Sequence, residues 1–364
     1  MTRRSLRRRL ASPSLTAAAA LGLAALLTAC GSAGATTASS TASDSTAPSA
    51  TVAGTGTDLS TVTLRVGETG WKQQELLLES AGLGNTPYRT EFSLFQGGNL
   101  QLEALGADAI DLASASEIPP IFAAQSGGPG SLTISAVRQG NTLTQEVVVP
   151  EGSDITSVDQ LKGRKVAYVQ NTTAHHFLYQ SLADAGLQWS DIEAVPLSTS
   201  DGLAALLSGQ VDALASYGTA IITAHAKGAT TLVDARDILS GNFLYVTRPA
   251  TNADPATKAA ILDFYGRLEQ AYAWARAHPD EWAAVIARET KQPVDQARQV
   301  FVDGEQQRPS HFVPTSPEAI ASQQKIVDTF VEAGILTSTV DIGQYWTTEY
   351  DLGVAAIQAA SDVG

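Results

Sequence analysis

The chain has 364 residues, 44% of them hydrophobic and 16% charged, with 15 prolines and 30 glycines. That is enough apolar material for one large or two ordinary domains, and it excludes a wholly disordered chain, a disulfide scaffold and a multi-span membrane protein. With 23 basic against 37 acidic residues the formal charge is −14; setting aside the five arginines before residue 30 leaves 18 bases and a body near −19, a poor partner for nucleic acid or anionic headgroups.

At the N-terminus, Arg3, Arg4, Arg7, Arg8 and Arg9 precede an apolar run over 15–27 that is too short for a permanent membrane span. The run ends in Leu27-Thr28-Ala29-Cys30, which resembles the lipobox of bacterial lipoproteins, where cleavage leaves the cysteine as the acylated first residue. Cys30 is the only cysteine, so it has neither a disulfide partner nor thiol companions for a metal. The alternative is an ordinary secretory signal followed by a stray cysteine. Residues 1–30 are therefore expected to be a lipoprotein signal peptide, with the protein exported and held by acyl chains on Cys30 at the outer face of the cytoplasmic membrane. Residues 31–60 are dominated by Ser, Thr, Ala and Gly and contain no aromatic. Such a segment buries too little apolar surface to order itself and reads as a disordered tether, with a reach on the order of 30 Å.

From residue 62 short β-rich runs alternate with helical periods. Strands are predicted over 62–67, 88–95, 109–113, 132–137, 146–149, 165–169, 211–215, 231–233 and 243–247. Helices are predicted over 72–81, 99–105, 119–125, 174–185, 201–207 and 218–226. This alternation argues for α/β architecture built from βαβ units. Beyond Asp254 the pattern is helical only, over 255–277, 279–289, 293–302 and 317–333, each opening on a proline whose missing amide costs nothing in a first turn.

A weak internal repeat adds to this. Leu102-Glu-Ala-Leu105 running to Ile110-Asp111 aligns with Leu203-Ala-Ala-Leu206 running to Val211-Asp212, and both copies read helix, tight turn, strand. Chance is the alternative, since these residue types are common. Two similar α/β lobes would present facing strand ends, where small ligands bind.

At this point the residues resemble a known family. The segment 62–67, Leu102 to Asp111, Pro119-Pro120-Ile121-Phe122-Ala123, Leu161-Lys162-Gly163-Arg164-Lys165-Val166-Ala167 and Gly209-Gln210-Val211-Asp212-Ala213 occur in family order. They look like the solute-binding proteins of ABC importers in the group handling aliphatic sulfonates, taurine and nitrate, over roughly residues 62–340. Asn171-Thr172-Thr173-Ala174-His175 matches the turn and Ala-His of the sulfonate-type proteins. The resemblance implies a two-lobed periplasmic-binding-protein-like fold of type II, with two open mixed sheets flanked by helices and a hinge of two crossovers. The crossovers are expected near 146–150 and 243–248, with lobe 1 comprising 61–147 plus 245–364 and lobe 2 comprising 148–244. It further implies a monomer that captures a small oxyanion such as an alkane- or arylsulfonate or taurine by lobe closure, delivers it to an ABC permease and serves sulfur assimilation. Nitrate, an amine-bearing heterocycle of the thiamine-pyrimidine kind and an aromatic compound stay open as ligands.

An oxyanion needs hydrogen-bond donors, and amides at a helix N-terminus supply them with a favourable dipole. Asn171, Thr172 and Thr173 precede or open a predicted helix and either meet a ligand or simply cap it. The resemblance places Ser116 and Glu117 in the first lobe's ligand loop. With Glu68 just after the first strand, two carboxylates beside one cleft would suit a zwitterionic, hydroxylated or cationic ligand; solvated loop acids are the alternative. Trp71 and Tyr217, the latter next to Ser216, sit at strand-end corners where the family puts ligand-facing side chains, and their rings can pack on an alkyl or aryl body. His175 matches the family's Ala-His. His311 and Arg308 lie in a loop that can bring positive charge to the cleft. The five histidines show no metal spacing, and no nucleophile elbow, phosphate loop or zinc-protease motif is present. The expectation is therefore a binding protein without cofactor, metal or catalysis, and without nucleic acid as partner.

Overall fold

The computed structural model describes residues 57–128 and 130–361, so the leader, Cys30 and nearly all of the tether lie outside the described residues. In chain order the elements are β1 (Thr63–Thr69), α1 (Gln73–Ser80), β2 (Arg89–Phe95), α2 (Gly98–Gly106), β3 (Ala113–Ser116), α3 (Ile118–Gly127) and β4 (Thr133–Gln139). Then follow β5 (Gln145–Val149), β6 (Lys165–Tyr168), α4 (Thr173–Asp184), β7 (Glu193–Pro196), α5 (Thr199–Leu207), β8 (Ala213–Tyr217), α6 (Thr219–Ala226) and β9 (Thr230–Asp234). The chain ends with β10 (Asn242–Thr247), α7 (Pro249–Ala253), α8 (Pro255–Ala277), α9 (Pro279–Thr290), α10 (Val294–Gln307), β11 (His311–Val313), α11 (Pro317–Glu332) and α12 (Asp351–Ser361).

The strands form two open mixed sheets. One has the order β7-β6-β8-β5-β9, with β5 antiparallel to both neighbours. The other has the order β11-β4-β10-β3 and is extended by the parallel pair β1-β2 through the bridge between Val66 and Leu112. Both sheets are covered on both faces. On one face of the β10 sheet, Tyr245, Tyr265 and Phe312 pack with ring centroids 4.9–5.1 Å apart under α8. On the other, Ile121, Val327 and Phe330 of α3 and α11 are fully buried. The second sheet buries Phe177 and Leu178 of α4 on one side and Ile221 and Ala224 of α6 on the other. Strands buried on both faces are mostly apolar; every residue of β5, Gln145-Glu-Val-Val-Val149, is buried, and its carboxylate at Glu146 is met by His225 Nε2 at 2.9 Å and the Thr231 hydroxyl.

The chain passes between the sheets at 140–144 and 235–241. The expected crossovers, 146–150 and 243–248, are instead for the most part strands β5 and β10, because their β-branched and aromatic runs complete sheet ladders. The two connecting segments lie side by side, with the Gly140 amide donating to Gly241 O at 3.0 Å and the Ala235 amide to Gln145 O at 2.9 Å. Three of the expected N-terminal prolines, Pro255, Pro279 and Pro317, open their helices; Pro293 lies one residue outside α10 as its N-cap. The strand expected over 109–113 begins only at Ala113, since the Ala109 amide turns back to Ala104 O at 2.8 Å. Edge strands β7 and β11 and helices α7 and α12 have no counterpart in the sequence reading. Among the described residues no helix is long and apolar enough to cross a membrane.

Candidate functional site

Antiparallel pairing of β10 with β3 and β4 sets the start of β10 beside the ends of those two strands, and the pairing of β5 with β8 does the same in the other sheet. The strand ends thus border one cavity of about 320 Å³, into which the N-termini of α2, α4 and α6 also open. Pockets of this size at strand ends hold small molecules.

The first polar wall is the start of α4. Thr172 is its N-cap in extended backbone (φ −130°, ψ −178°), and its hydroxyl donates backwards to Val169 O at 2.7 Å rather than capping the helix. Among the described residues, the amides of Thr172, Thr173 and Ala174 therefore meet no protein acceptor. Thr172 and Thr173 line the cavity. Unsatisfied first-turn amides with the positive end of the helix dipole attract an anion.

The second feature is Arg138, the one Lys or Arg side chain among the lining residues. Its guanidinium lies over the Phe243 ring (4.5 Å to the centroid) and near that of Tyr272 (5.3 Å). Phe243 is directly opposite Arg138 across the β10–β4 ladder, so sheet register creates the cation–π contact. Nη1 makes two long hydrogen bonds, to Gln139 O at 3.4 Å and Ser310 Oγ at 3.3 Å. No carboxylate lies within ion-pair distance of it among the described residues.

Two carboxylates line the same cavity. Glu305 has a cationic partner, accepting from Arg276 Nη1 at 3.2 Å and from the Ser310 amide at 3.0 Å and hydroxyl at 2.8 Å. Glu68 is 2% exposed, and its Oε1 accepts the first-turn amides of α1, from Gln74 and, at 3.2 Å, from Glu75. Burial raises its pKa to about 7, against the lowering effect of those two amides.

A third, apolar wall comes from Trp71, Trp282 and Ile286, continued by Val300 and Phe301 of α10. The Trp71 and Trp282 rings pack 5.8 Å apart. Trp282 on α9 is 1% exposed and lines the cavity.

Across the cavity the two sheets' loops touch. Thr199 Oγ1 donates to Gln96 Oε1 at 3.0 Å, and a Cβ on Gly97 would lie 3.0 Å from the Tyr217 hydroxyl. Burial pushes the Tyr217 hydroxyl up to about 12. It has no hydrogen-bond partner of good geometry, although the Thr172 side chain is close enough to oppose the shift.

Of the residues expected to meet a ligand, the structure gathers Glu68, Trp71, Ser116, Thr172, Thr173 and Tyr217 around this cavity. Five others lie elsewhere. Glu117 points into the protein, where Ser240 Oγ and Asn242 Nδ2 donate to its carboxylate, the latter at 3.1 Å, and burial raises its pKa. Asn171 takes up the left-handed turn (φ 59°) that ends the loop before α4. His175 is 4% exposed in a ring cluster with Phe122, Tyr168, Trp189 and Phe330, its pKa pulled down to about 4 by burial. Ser216 is fully buried within β8, on the alternate face from Tyr217. His311 Nδ1 lies 2.9 Å from Glu269, away from the cavity. Cys30 falls outside the described residues.

Sequence reasoning missed Arg138, Gln96, Thr199 and the α9–α10 wall. Arg138 carries a signal in the sequence: it is the lone basic residue directly after the strand run predicted over 132–137. Among the described residues no group of three His, Cys, Asp or Glu side chains converges as a metal site.

A family profile described as NMT1/THI5 like matches residues 95–282. An aliphatic sulfonates-binding protein of Escherichia coli (strain K12) is 31% identical over 252 residues, covering 69% of this chain and 76% of the relative. In three dimensions the periplasmic aliphatic sulphonate binding protein SsuA from Escherichia coli superimposes with a TM-score of 0.67 at 28% identity, over 79% of this chain and 92% of that one. The alkanesulfonate-binding protein SsuA from Xanthomonas axonopodis pv. citri bound to MOPS reaches a TM-score of 0.71 at 24% identity, over 79% and 99%. A Candida albicans protein with the generic periplasmic binding protein fold matches in fold as well, at a TM-score of 0.63 and 15% identity, over 79% and 96%.

Proposed function

The chain belongs to the NMT1/THI5-like family and has the periplasmic binding protein fold, and from that premise we propose that it is the sulfonate receptor of an ABC importer. It captures a small sulfonate between its two lobes and presents it to the permease; it does no covalent chemistry. The observation that carries this reading is the start of α4, where the amides of Thr172, Thr173 and Ala174 meet no protein acceptor among the described residues, and where Thr172 and Thr173 line the cavity that Arg138 also lines. A sulfonate has three acceptor oxygens and one charge, which suits a few amides and one guanidinium. The Trp71–Trp282 wall favours a sulfonate with a hydrocarbon body over nitrate, which has none. The lipobox at Cys30 and the tether behind it support export and acyl anchoring at the outer face of the cytoplasmic membrane.

Thermal-shift measurements with alkane- and arylsulfonates test the reading. A ligand at about 100 times its dissociation constant adds about 2.7 kcal/mol, a readily visible shift. Thr173→Pro is the matching variant. Proline fits the first helical position, and the extended backbone of Thr172 suits the residue before a proline, so the fold survives while one donor is lost. The expected result is stabilisation of the native chain by sulfonates and its loss in Thr173→Pro with unchanged circular dichroism. Stabilisation by cations alone, or by no sulfonate, overturns the proposal.

A further inference from the structure

Glu68 and Arg138 line one cavity without pairing to each other or, among the described residues, to any other opposite charge within ion-pair distance. Glu305, the other lining carboxylate, is neutralised by Arg276. The two unpaired groups are close neighbours through Tyr245. Its hydroxyl donates to Gln74 Oε1 at 2.8 Å, the amide of Gln74 donates to Glu68, and the Tyr245 hydroxyl feels both the Glu68 and the Arg138 charge.

An acid whose only purpose is to cap α1 has no reason to face a ligand cavity with its second oxygen. The first-turn amides of α1 use Oε1 alone; Oε2 has no hydrogen bond among the described residues. Nor is an arginine held over two rings, with two long hydrogen bonds, well satisfied by the protein. A buried carboxylate and a guanidinium left apart in this way are costly unless something bridges them. A plain alkanesulfonate answers Arg138 and leaves Glu68 facing a second anion. A molecule carrying an ammonium group as well answers both.

We infer that the cavity selects a dipolar ligand, a sulfonate that also bears an ammonium group, with Arg138 and the α4 amides facing the sulfonate and Glu68 Oε2 facing the ammonium. The inference deepens the sulfonate reading and rests on it. Burial holds the Glu68 carboxyl up against the lowering effect of the two α1 amides and of Lys72, and an ammonium in the cavity would restore its charge.

Calorimetry with matched pairs tests it: taurine against ethanesulfonate, and 3-aminopropanesulfonate against propanesulfonate. The native chain is expected to bind the amine-bearing member of at least one pair more tightly by about tenfold or more. Glu68→Gln keeps an oxygen for the α1 amides and removes the charge; it should bring the ratio close to one. Arg138→Gln should weaken both members of a pair together. Equal affinities in the native chain, a preference for the plain sulfonates, or binding of longer plain sulfonates such as pentanesulfonate with none of the four probes bound overturns the dipolar inference and leaves the sulfonate reading standing. Failure of every sulfonate overturns both. The native-chain comparison decides the matter even if Glu68→Gln unfolds.

Discussion

Asp111 and Asp212 hold equivalent corners of two different sheets. Asp111 Oδ2 accepts the Arg65 amide at 3.0 Å while its own amide donates to Arg65 O at 2.8 Å; Asp212 does the same with Lys165, at 2.7 and 2.8 Å. The turns before them also match. The Ala109 amide reaches back to Ala104 O and the Gln210 amide to Ala205 O, and the left-handed residue is Asp108 in one copy and Gly209 in the other. The corners differ in surroundings: Asp111 also takes the Arg65 guanidinium through Nε at 2.9 Å and Nη2 at 2.6 Å, whereas the Lys165 ammonium turns to Glu193 at 3.2 Å and Asp212 meets a guanidinium only at 3.7 Å, that of Arg164. Asp111→Ala should therefore cost more than Asp212→Ala, about 3 against about 1 kcal/mol, in urea unfolding. Equal losses would show that the guanidinium adds nothing to the clasp.

Gly97 marks the closest approach between the two sheets' loops. Its backbone is extended (φ −178°, ψ 161°), so alanine is locally unstrained, but the added methyl would sit 3.0 Å from the Tyr217 hydroxyl and 2.6 Å from Asn99 Oδ1. The Asn99 side chain can swing away; the buried Tyr217 has less room. Gly97→Ala is expected to leave the melting temperature nearly unchanged and to weaken affinity for the proposed sulfonate ligand by about tenfold, through hindered apposition of the loops. Unaltered affinity in calorimetry would mean that ligand capture does not need this contact.

Gly241 is constrained differently. At φ +75° a side chain is strained, and its Cβ would lie 2.0 Å from Arg308 Nη1 and 2.5 Å from Gly140 O. Gly241→Ala should destabilise the protein by about 2 kcal/mol or more and disturb the hydrogen bond that joins the two crossovers. Hydrogen exchange at the Gly140 amide reads this directly, and unchanged protection there would contradict it.

The pH dependence of stability has opposing contributors. His175 and His176 are buried, and desolvation lowers both to about 4 from 6.5. A histidine whose folded pKa is depressed stabilises fully above 6.5, and that stability is lost as pH falls toward 4, at most about 3 kcal/mol for each ring. Glu68, raised from 4.5 to about 7, acts the other way: its contribution is complete below 4.5 and lost as pH rises through 7. Glu117, also raised by burial, acts in the same sense as Glu68, so the two carboxyls oppose the two rings, and the loss between pH 6.5 and 4 that belongs to the histidines is read as the difference between the native chain and a histidine variant. The Nδ1 atom of His176 is buried without a partner, so His176→Leu removes a group that gains nothing from its polarity and should flatten that limb. Denaturation at a series of pH values checks this; an unchanged slope would place the acid loss elsewhere.

The alternation of strands and helices, the proline-opened C-terminal helices and the repeated corner were legible because each is a local pattern of apolar spacing and turn chemistry. The short edge strands were not: Glu193-Ala-Val-Pro196 and His311-Phe-Val313 are too brief to show a period and exist only because a neighbour pairs with them. At the site, the α4 N-terminus and Trp71 could be read from strand-end position. Glu117 and His175 could not be placed, since only packing decides which way a helix-start side chain turns, and here both turn inward. Arg138 escaped because its partners, Phe243 and Tyr272, lie more than a hundred residues away along the chain.

Strand β10 lies between β3 and β4 in its sheet, yet it is made about a hundred residues after them. The five-stranded sheet has no such wait, as all its members fall within residues 145–234. During synthesis or export, the later-starting half of the molecule can therefore assemble first, while the earlier half is kept open until its missing middle strand arrives. Long-range closure of this kind is slow, and the interval leaves the facing edges of β3 and β4 unpaired, which is the time at which this chain is most exposed to association with its own copies or to capture by a chaperone.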